Sequence, residues 1–177
     1  MCEKKRCVIV GGAEIGNYRK VRSYLRGSDF IVYCDSGLKH MEKLGAAPSL
    51  IIGDWDSHAD PHLEVETITL PVAKDDTDTV YAMREGMKRG FKEFLLIGSA
   101  GERLDHTLVN VYILTTLENR GLHGMLVDDY SEMELISSWT DEEGICHQGE
   151  ASVEDRYTFF SLLLHLLNHS KSFISKF

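Results

Sequence analysis

Two aspartates, Asp54 and Asp56, directly follow the apolar run 49–52 and Gly53, and one residue separates them. If the backbone stays extended here, both carboxylates project to the same side. Two negative charges so close repel each other unless a cation lies between them, and Mg²⁺ suits such a pair. Gly53 would let a phosphate or the metal approach the backbone. The alternative is an ordinary aspartate–serine turn that is hydrogen-bonded to its own backbone.

A second charged cluster, KDDTDT, occupies residues 74–79 in front of a predicted helix. Acidic residues at a helix N-terminus interact favourably with the helix dipole, which explains them without any ligand. Asp76 and Asp78 nevertheless exceed what helix capping needs, and Lys74 beside them can contact a phosphate as a point charge. Together with the first cluster, this pattern favours a site for a metal–phosphate complex.

The stretch GSAGERLDH, residues 98–106, combines glycines with charged groups and leads into another predicted helix. Glycines let a loop approach a phosphate, and a helix N-terminus offers N–H groups. Arg103 can add a bidentate phosphate contact, and Asp105 can cap the helix. His106 and Asn110 are one turn apart and share a helix face. Taken alone, His106 fits a helix-capping or partly buried imidazole better than a ligand.

The loop GGAEIG, residues 11–16, resembles the G-x-G-x-x-G dinucleotide pattern only if Ala13 replaces the middle glycine. Asp35, at the end of the next apolar run, lies about where a ribose-binding acid falls in such a fold. An NAD-binding protein is therefore an alternative interpretation, but it leaves both aspartate clusters unexplained. No G-x-x-x-x-G-K-[ST] pattern occurs, which excludes a P-loop kinase.

Short apolar segments alternate with helical patterns as far as residue 129. This order predicts an α/β fold with a mostly parallel sheet and flanking helices. The continuously apolar runs predict strands that are covered on both faces. The predicted strands are 7–10, 29–34, 49–52, 66–72, 93–97 and 124–129, and the predicted helices are 17–26, 37–44, 78–89 and 106–120.

Charged residues follow the predicted strands directly or after a short loop. In an open parallel sheet, ligands bind beyond the carboxyl ends of the strands. We therefore expect the charged groups to meet at one edge of the sheet. These groups are Asp35, Asp54 with Asp56, Lys74 with Asp75, Asp76 and Asp78, and Arg103 with Asp105.

Composition narrows the classes of function. The 177 residues include 28 acidic and 19 basic side chains, a formal net charge of −9, and 43% are hydrophobic. The hydrophobic fraction is enough for a packed core, and the acid excess argues against binding to nucleic acid. The apolar stretch FFSLLLHLLNH is too short and too polar to span a membrane. Cys7 and Cys34 lie in apolar runs, as reduced buried thiols do, so we expect a cytoplasmic protein.

Taken in order, five segments resemble the catalytic domain of the thiamin pyrophosphokinase family. They are VIVGGAEIGN, CDSGLKH, PSLIIGDWDS, KDDTDT and GSAGERLDHTLVN, and the resemblance covers roughly residues 7–130. It implies transfer of the β,γ-pyrophosphoryl group of ATP to the hydroxyl of thiamin, with Mg²⁺ required and thiamin diphosphate and AMP as products. It also implies an N-terminal α/β nucleotide domain, a C-terminal β-sandwich domain and a homodimer.

The resemblance also implies roles for particular side chains. Asp54, Asp56 and Asp78 would bind the metal, and Asp56, Asp78 and Arg103 would be catalytic. Transfers of this type rest mostly on positioning and electrostatics, so acids, one lysine, one arginine and glycines can suffice. Asp56 and Asp78 both stay open as the general base. The nucleotide and phosphate site would be shaped by Asp35, Lys74, Asp76, Arg103, Asp105 and His106.

The C-terminal part changes character, and we expect an α/β unit at 1–130 and a partial all-β unit at 131–177. Residues 154–163 resemble a strand of the family's β domain, but residues 164–177 match nothing expected there. The pattern predicts a truncated or frameshifted β-sandwich, with a natural short variant as the alternative. Two functions are therefore open: an active enzyme, or a catalytically silent ATP-binding protein without a complete thiamin pocket.

Overall fold

A computed structural model of the chain describes residues 6–54, 63–71, 76–101, 103–135, 138–140 and 146–148. Its centre is a seven-stranded sheet in which every neighbouring pair is parallel except the last two strands. The strands are β1 Cys7–Val10, β2 Phe30–Cys34, β3 Leu50–Gly53, β4 Thr67–Thr69, β5 Glu93–Ile97, β6 His123–Val127 and β7 Glu132–Glu134. Two further strands, β8 Ser138–Thr140 and β9 Cys146–Gln148, pair antiparallel with each other.

Helices cover both faces of the seven-stranded sheet. α1 and α2 contribute to the hydrophobic core on one face, and α3 and α4 contribute to the core on the other. A 3₁₀ helix, Asp35–His40, leads directly from β2 into α2. The α-helices are α1 Tyr18–Ser23, α2 Met41–Leu44, α3 Asp78–Lys88 and α4 Leu104–Glu118.

The central strands send alternate side chains into the two cores. In β1, Cys7 and Ile9 pack on the side of α3 and α4, whereas Val8 and Val10 pack on the side of α1 and α2. All four side chains are fully buried, which explains why the strand reads as one unbroken apolar run. Burial raises the pKa of Cys7 to about 12, so the expectation of an inert thiol at this position agrees with the structure.

The spatial order of the strands is β4-β3-β2-β1-β5-β6-β7. From β1 the chain runs outward through β2, β3 and β4, and it then returns to the opposite side of β1 to form β5. The chain therefore changes direction between β1 and β5, and the loops after these strands diverge. Such a switch point forms a crevice at the carboxyl edge of a sheet.

The predicted fold class is confirmed, and β1 and β5 have the predicted bounds. The bounds of the other elements differ from the prediction by a few residues, most notably at three of them. The predicted helix 37–44 is preceded and partly replaced by the 3₁₀ helix, because Asp35 turns the chain directly at the strand end. Among the described residues 66–71 of the predicted strand 66–72, only β4 is strand, and its threonines, at the edge of the sheet, are exposed. The fourth predicted helix begins at residue 104 rather than 106.

The predicted division into units at 1–130 and 131–177 stays a prediction. The expected strand at 154–163 and the unusual segment 164–177 lie outside the described residues. In the part of the chain that the structure describes, no helix has the length and apolar character needed to cross a membrane.

Candidate active site

A cleft of about 640 Å³ lies at the crevice between β1 and β5. Its walls are the residues that follow β1, β2, β3 and β5 and the first turns of α3 and α4. The structure thus brings most of the described charged groups expected at the carboxyl edge of the sheet to this cleft, whereas Asp105 does not line it. The predicted site residues that line the cleft are Asp35, Asp54, Asp76, Asp78, Arg103 and His106.

The floor of the cleft is backbone, because two strand ends approach each other through glycines. A Cβ added at Gly11 would lie 2.5 Å from the carbonyl oxygen of Gly98. Gly98 itself has a φ of 58°, a conformation that favours glycine. The Gly11 N–H donates to the carbonyl of Ile97 at 2.9 Å, and the Ala13 N–H donates to that of Gly98 at 2.8 Å. The floor therefore consists of two loops in close backbone contact, which leaves no space for a side chain at Gly11.

Asp35 occupies a strained position at the end of β2. Its φ of 34° lies in the left-handed region, which side chains other than glycine seldom adopt. Strain of this kind is held by surrounding structure and is concentrated at functional sites. A Cβ at Gly53 would lie 3.3 Å from both Cα and Cβ of Asp35. The expectation that Gly53 gives room to a ligand was therefore wrong, because it gives room to Asp35.

Two carboxylates suited to a metal lie on different walls of the cleft. Asp54 follows β3, and Asp78 is the first residue of α3; both are partly buried. Within the described ranges, no three His, Cys, Asp or Glu side chains are grouped so that they could hold a metal ion. Asp56 and Lys74, which the sequence also places at the site, lie outside the described residues.

Asp76 is paired within the protein. Its Oδ2 lies 2.6 Å from an Nη atom of Arg84, which is in the second turn of α3. Both side chains are partly exposed, at 33% and 48%. Asp76 therefore anchors the start of α3 as well as lining the cleft, and the ion pair reduces its availability to a metal.

Arg103, which lines the cleft, forms a bidentate pair with Asp105, with N–O distances of 3.2 and 2.6 Å. The hydrogen bond from Arg103 lowers the pKa of Asp105, and the same bond raises the pKa of Arg103. Asp105 does not cap α4, as the sequence suggested, because the helix begins one residue earlier at Leu104 and Arg103 is the N-cap. Since both charged side chains are about two-thirds exposed, at 67% and 64%, they can exchange partners cheaply.

His106 and Asn110, which were predicted to share a helix face, both line the cleft, but they differ in burial. His106 is 47% exposed and 4.0 Å from Asp105. Asn110 is 4% exposed; its amide donates to the carbonyl of Ser99 at 2.6 Å and its oxygen accepts from Thr79 at 2.7 Å. Asn110 therefore ties α4 to α3 and to the loop after β5.

Several residues that shape the cleft were not singled out from sequence. Thr79, Ser99 and Thr107 lie inside or next to the quoted motifs, but a lone hydroxyl carries no distinctive pattern. The Thr107 hydroxyl holds the loop after β5 by donating to the carbonyl of Arg103 at 3.0 Å. His40 contacts the carbonyl oxygen of Ala13 in the loop after β1. It lies in the quoted segment CDSGLKH, but its spacing from other residues gave no sign of this contact.

Solved structures of thiamin pyrophosphokinases share this fold. The enzyme from Bacillus subtilis superposes with a TM-score of 0.62 at 21% identity, over 78% of this chain and 70% of that one. The enzyme from Geobacillus thermodenitrificans gives 0.63 at 22% identity, over 77% of this chain and 65% of that one. The enzyme from Candida albicans gives 0.57 at 11% identity, over 76% of this chain and 61% of that one. Comparison with curated protein sequences found no match.

Sequence comparison with protein families is more specific than these structural matches. The family profile described as thiamin pyrophosphokinase, catalytic domain, matches residues 21–126, which is more than half of the chain. The match spans β2 to β6 and includes Asp35, Asp54, Asp78 and Arg103 of the cleft. The chain therefore belongs to the thiamin pyrophosphokinase family, through its catalytic domain.

Proposed function

We propose that the chain is an ATP:thiamin pyrophosphotransferase that converts ATP and thiamin to AMP and thiamin diphosphate. One observation carries the proposal: Asp35, Asp54, Asp78 and Arg103 surround a glycine-built floor at the carboxyl edge of the sheet. A nucleoside triphosphate needs a cationic side chain and a metal ion to offset its charge. This cleft offers Arg103 for the first and carboxylate ligands for the second.

Mg²⁺ is the cation that these donors fit. It is usually held by one or two protein carboxylates and completes its shell with waters and phosphate oxygens, so a full protein cage is not needed. We assign Asp54 and Asp78 as its ligands, with Asp56 as a further ligand predicted from sequence. When bound, the ion would supply neutralisation of charge on the transferred phosphates.

In the proposed reaction, the hydroxyl oxygen of thiamin attacks the β-phosphorus of ATP. The new O–P bond forms as the bond from the β-phosphorus to the oxygen bridging the α-phosphate breaks, and AMP leaves with that oxygen. The hydroxyl proton passes to a carboxylate, for which Asp78 and Asp56 are the candidates. Arg103 would exchange Asp105 for phosphate oxygens, which accept its fork of donors in the same bidentate manner.

The second candidate function is a nucleotide-binding protein without catalytic activity. The observation that favours it is the extent of the cleft, whose described lining residues run from Gly11 to Asn110 and so all fall within the predicted nucleotide unit. The segment that should complete the acceptor pocket was predicted to be atypical. A homodimer and a cytoplasmic location remain predictions that come from the family resemblance and from composition.

Binding of ATP tests the nucleotide part of the proposal. Isothermal calorimetry on the purified chain should detect ATP binding that is lost when EDTA removes Mg²⁺, because the acidic cleft repels uncompensated phosphates. NAD⁺ serves as the control ligand for the dinucleotide-binding alternative and should not bind. Binding of NAD⁺ in preference to ATP, or ATP binding indifferent to EDTA, would contradict the assignment.

A further inference from the structure

The 3₁₀ helix after β2 packs directly on the loop after β1. A Cβ at Gly37 would overlap the carbonyl oxygen of Val10, and a Cβ at Gly12 would overlap the hydroxyl of Ser36. The two segments are thus in close contact, through backbone at Gly37 and through the Ser36 side chain at Gly12, and neither glycine has room for a side chain of its own. Asp35, which lines the cleft, starts this helix, and His40, which contacts the loop after β1, ends it. The helix therefore connects a cleft residue to a residue that holds the loop.

His40 reaches the cleft loop from the protein interior. It is fully buried. Its Nε2 lies 2.9 Å from the carbonyl oxygen of Ala13, and its Nδ1 lies 2.7 Å from the hydroxyl of Tyr18. A carbonyl only accepts, so Nε2 carries the hydrogen; Nδ1 of the neutral ring then accepts from Tyr18. Burial lowers the pKa of His40, which favours this neutral form.

The loop that His40 contacts is held at both ends. Ala13 lines the cleft, and its two backbone polar groups are used within the protein: its N–H donates to Gly98 at 2.8 Å and its carbonyl accepts from His40. At the far end, the N–H groups of Gly16 and Asn17 donate to Asp129 at 2.7 and 2.8 Å. The loop therefore has a defined shape before any ligand arrives.

We infer that His40 is a positioning residue of the nucleotide site, which fixes the loop after β1 by binding the Ala13 carbonyl. A carbonyl oxygen that faced the cleft would repel a phosphate, whereas one bound by His40 is turned into the interior. A pre-shaped loop also avoids the cost of ordering backbone when the ligand binds. The inference rests on the proposed function for the identity of the ligand, a nucleoside triphosphate with Mg²⁺.

Two substitutions of His40 by side chains of different length test the inference. In His40→Gln, the side-chain amide can still extend to the Ala13 carbonyl. In His40→Asn, the shorter side chain reaches only toward Tyr18. We expect the dissociation constant of Mg²⁺–ATP, measured by calorimetry without thiamin, to rise about tenfold in His40→Asn, the equivalent of one net hydrogen bond. It should stay within about threefold of the wild type in His40→Gln.

Tyr33→Phe is the matched control, because the buried Tyr33 hydroxyl also donates to an alanine carbonyl, that of Ala46, at 2.8 Å. Neither residue lines the cleft, so this variant should bind Mg²⁺–ATP like the wild type. Unfolding in urea is measured for all variants, so that lost stability is separated from lost affinity.

Equal affinities in His40→Asn and wild type, or equal losses in His40→Asn and His40→Gln, would overturn the inference. If His40→Asn does not fold, Tyr18→Phe replaces it; this variant should weaken Mg²⁺–ATP binding about threefold, and unchanged binding overturns the inference. Failure of the wild-type chain to bind ATP would instead remove the proposed function, and this inference with it.

Discussion

Replacement of Asp78 by asparagine should lower thiamin-dependent AMP formation by about 100-fold or more, the effect of removing one electrostatic contributor from an active site. Asp78 lines the cleft at the first turn of α3, and Asp54 also lines it. Asparagine keeps the shape of the side chain but removes its charge, so that a metal–phosphate complex loses an anionic ligand. The measurement is steady-state release of AMP from ATP with saturating Mg²⁺ and thiamin.

The fold should survive this change. A carboxylate in the first turn of a helix is worth about 0.3–1 kcal/mol through the helix dipole, which limits the stability loss. Glu85→Gln is the matched control, because it removes the same charge from α3 where Glu85 pairs with Arg89 rather than lining the cleft. Its activity should stay within about twofold of the wild type. If Asp78→Asn retained most of its activity, the metal-binding role of Asp78 would be wrong.

The largest effect on stability is expected at the opposite edge of the sheet. Arg6 and Asp29 form a bidentate pair, with N–O distances of 3.1 and 2.8 Å, and their side chains are only 6% and 1% exposed. Arg6→Met would leave a buried carboxylate without its counter-charge. We expect the free energy of unfolding, from urea denaturation, to fall by about 3–5 kcal/mol. A domain of this size has about 5–15 kcal/mol in total.

Two companion variants define the cause of that loss. Arg26→Met removes the nearby pair with Glu93, in which Arg26 is 44% exposed, and should cost no more than about 1 kcal/mol. The double variant Arg6→Met/Asp29→Leu replaces both buried charges and should recover most of the loss, because apolar pairs often substitute for buried ion pairs. A loss in Arg6→Met as small as that in Arg26→Met would mean that water screens the pair.

The architecture of the site was predictable because it follows from strand direction. Parallel strands with apolar side chains on both faces bring their carboxyl ends to one edge. Asp35 and Asp54 are placed by β2 and β3, and Arg103 by the loop after β5, so their convergence needs no knowledge of side-chain packing. The polar partners of the site residues were harder to predict from the sequence. Arg84, inside α3, binds Asp76 just before the helix. The spacing of these two residues does not show whether they pair with each other or are each exposed to solvent.

The local backbone was the main source of error. The turn at Asp35 depends on a positive φ at a residue other than glycine, and such strain is held by tertiary contacts rather than by propensity. The role of Gly53 was misassigned for a related reason, because the space it leaves is filled by Asp35, which follows the neighbouring strand β2. His40 was overlooked because its partners, Ala13 and Tyr18, are far from it in sequence.

The most direct test of the proposed reaction is release of AMP from ATP by the purified chain, with Mg²⁺ and with or without thiamin. We predict AMP only when both Mg²⁺ and thiamin are present, with thiamin diphosphate formed in equal amount, because the transferred group must have its acceptor. ATP binding without any AMP would contradict the proposed transfer and leave a nucleotide-binding protein. Formation of ADP regardless of thiamin would contradict the bond that is proposed to break.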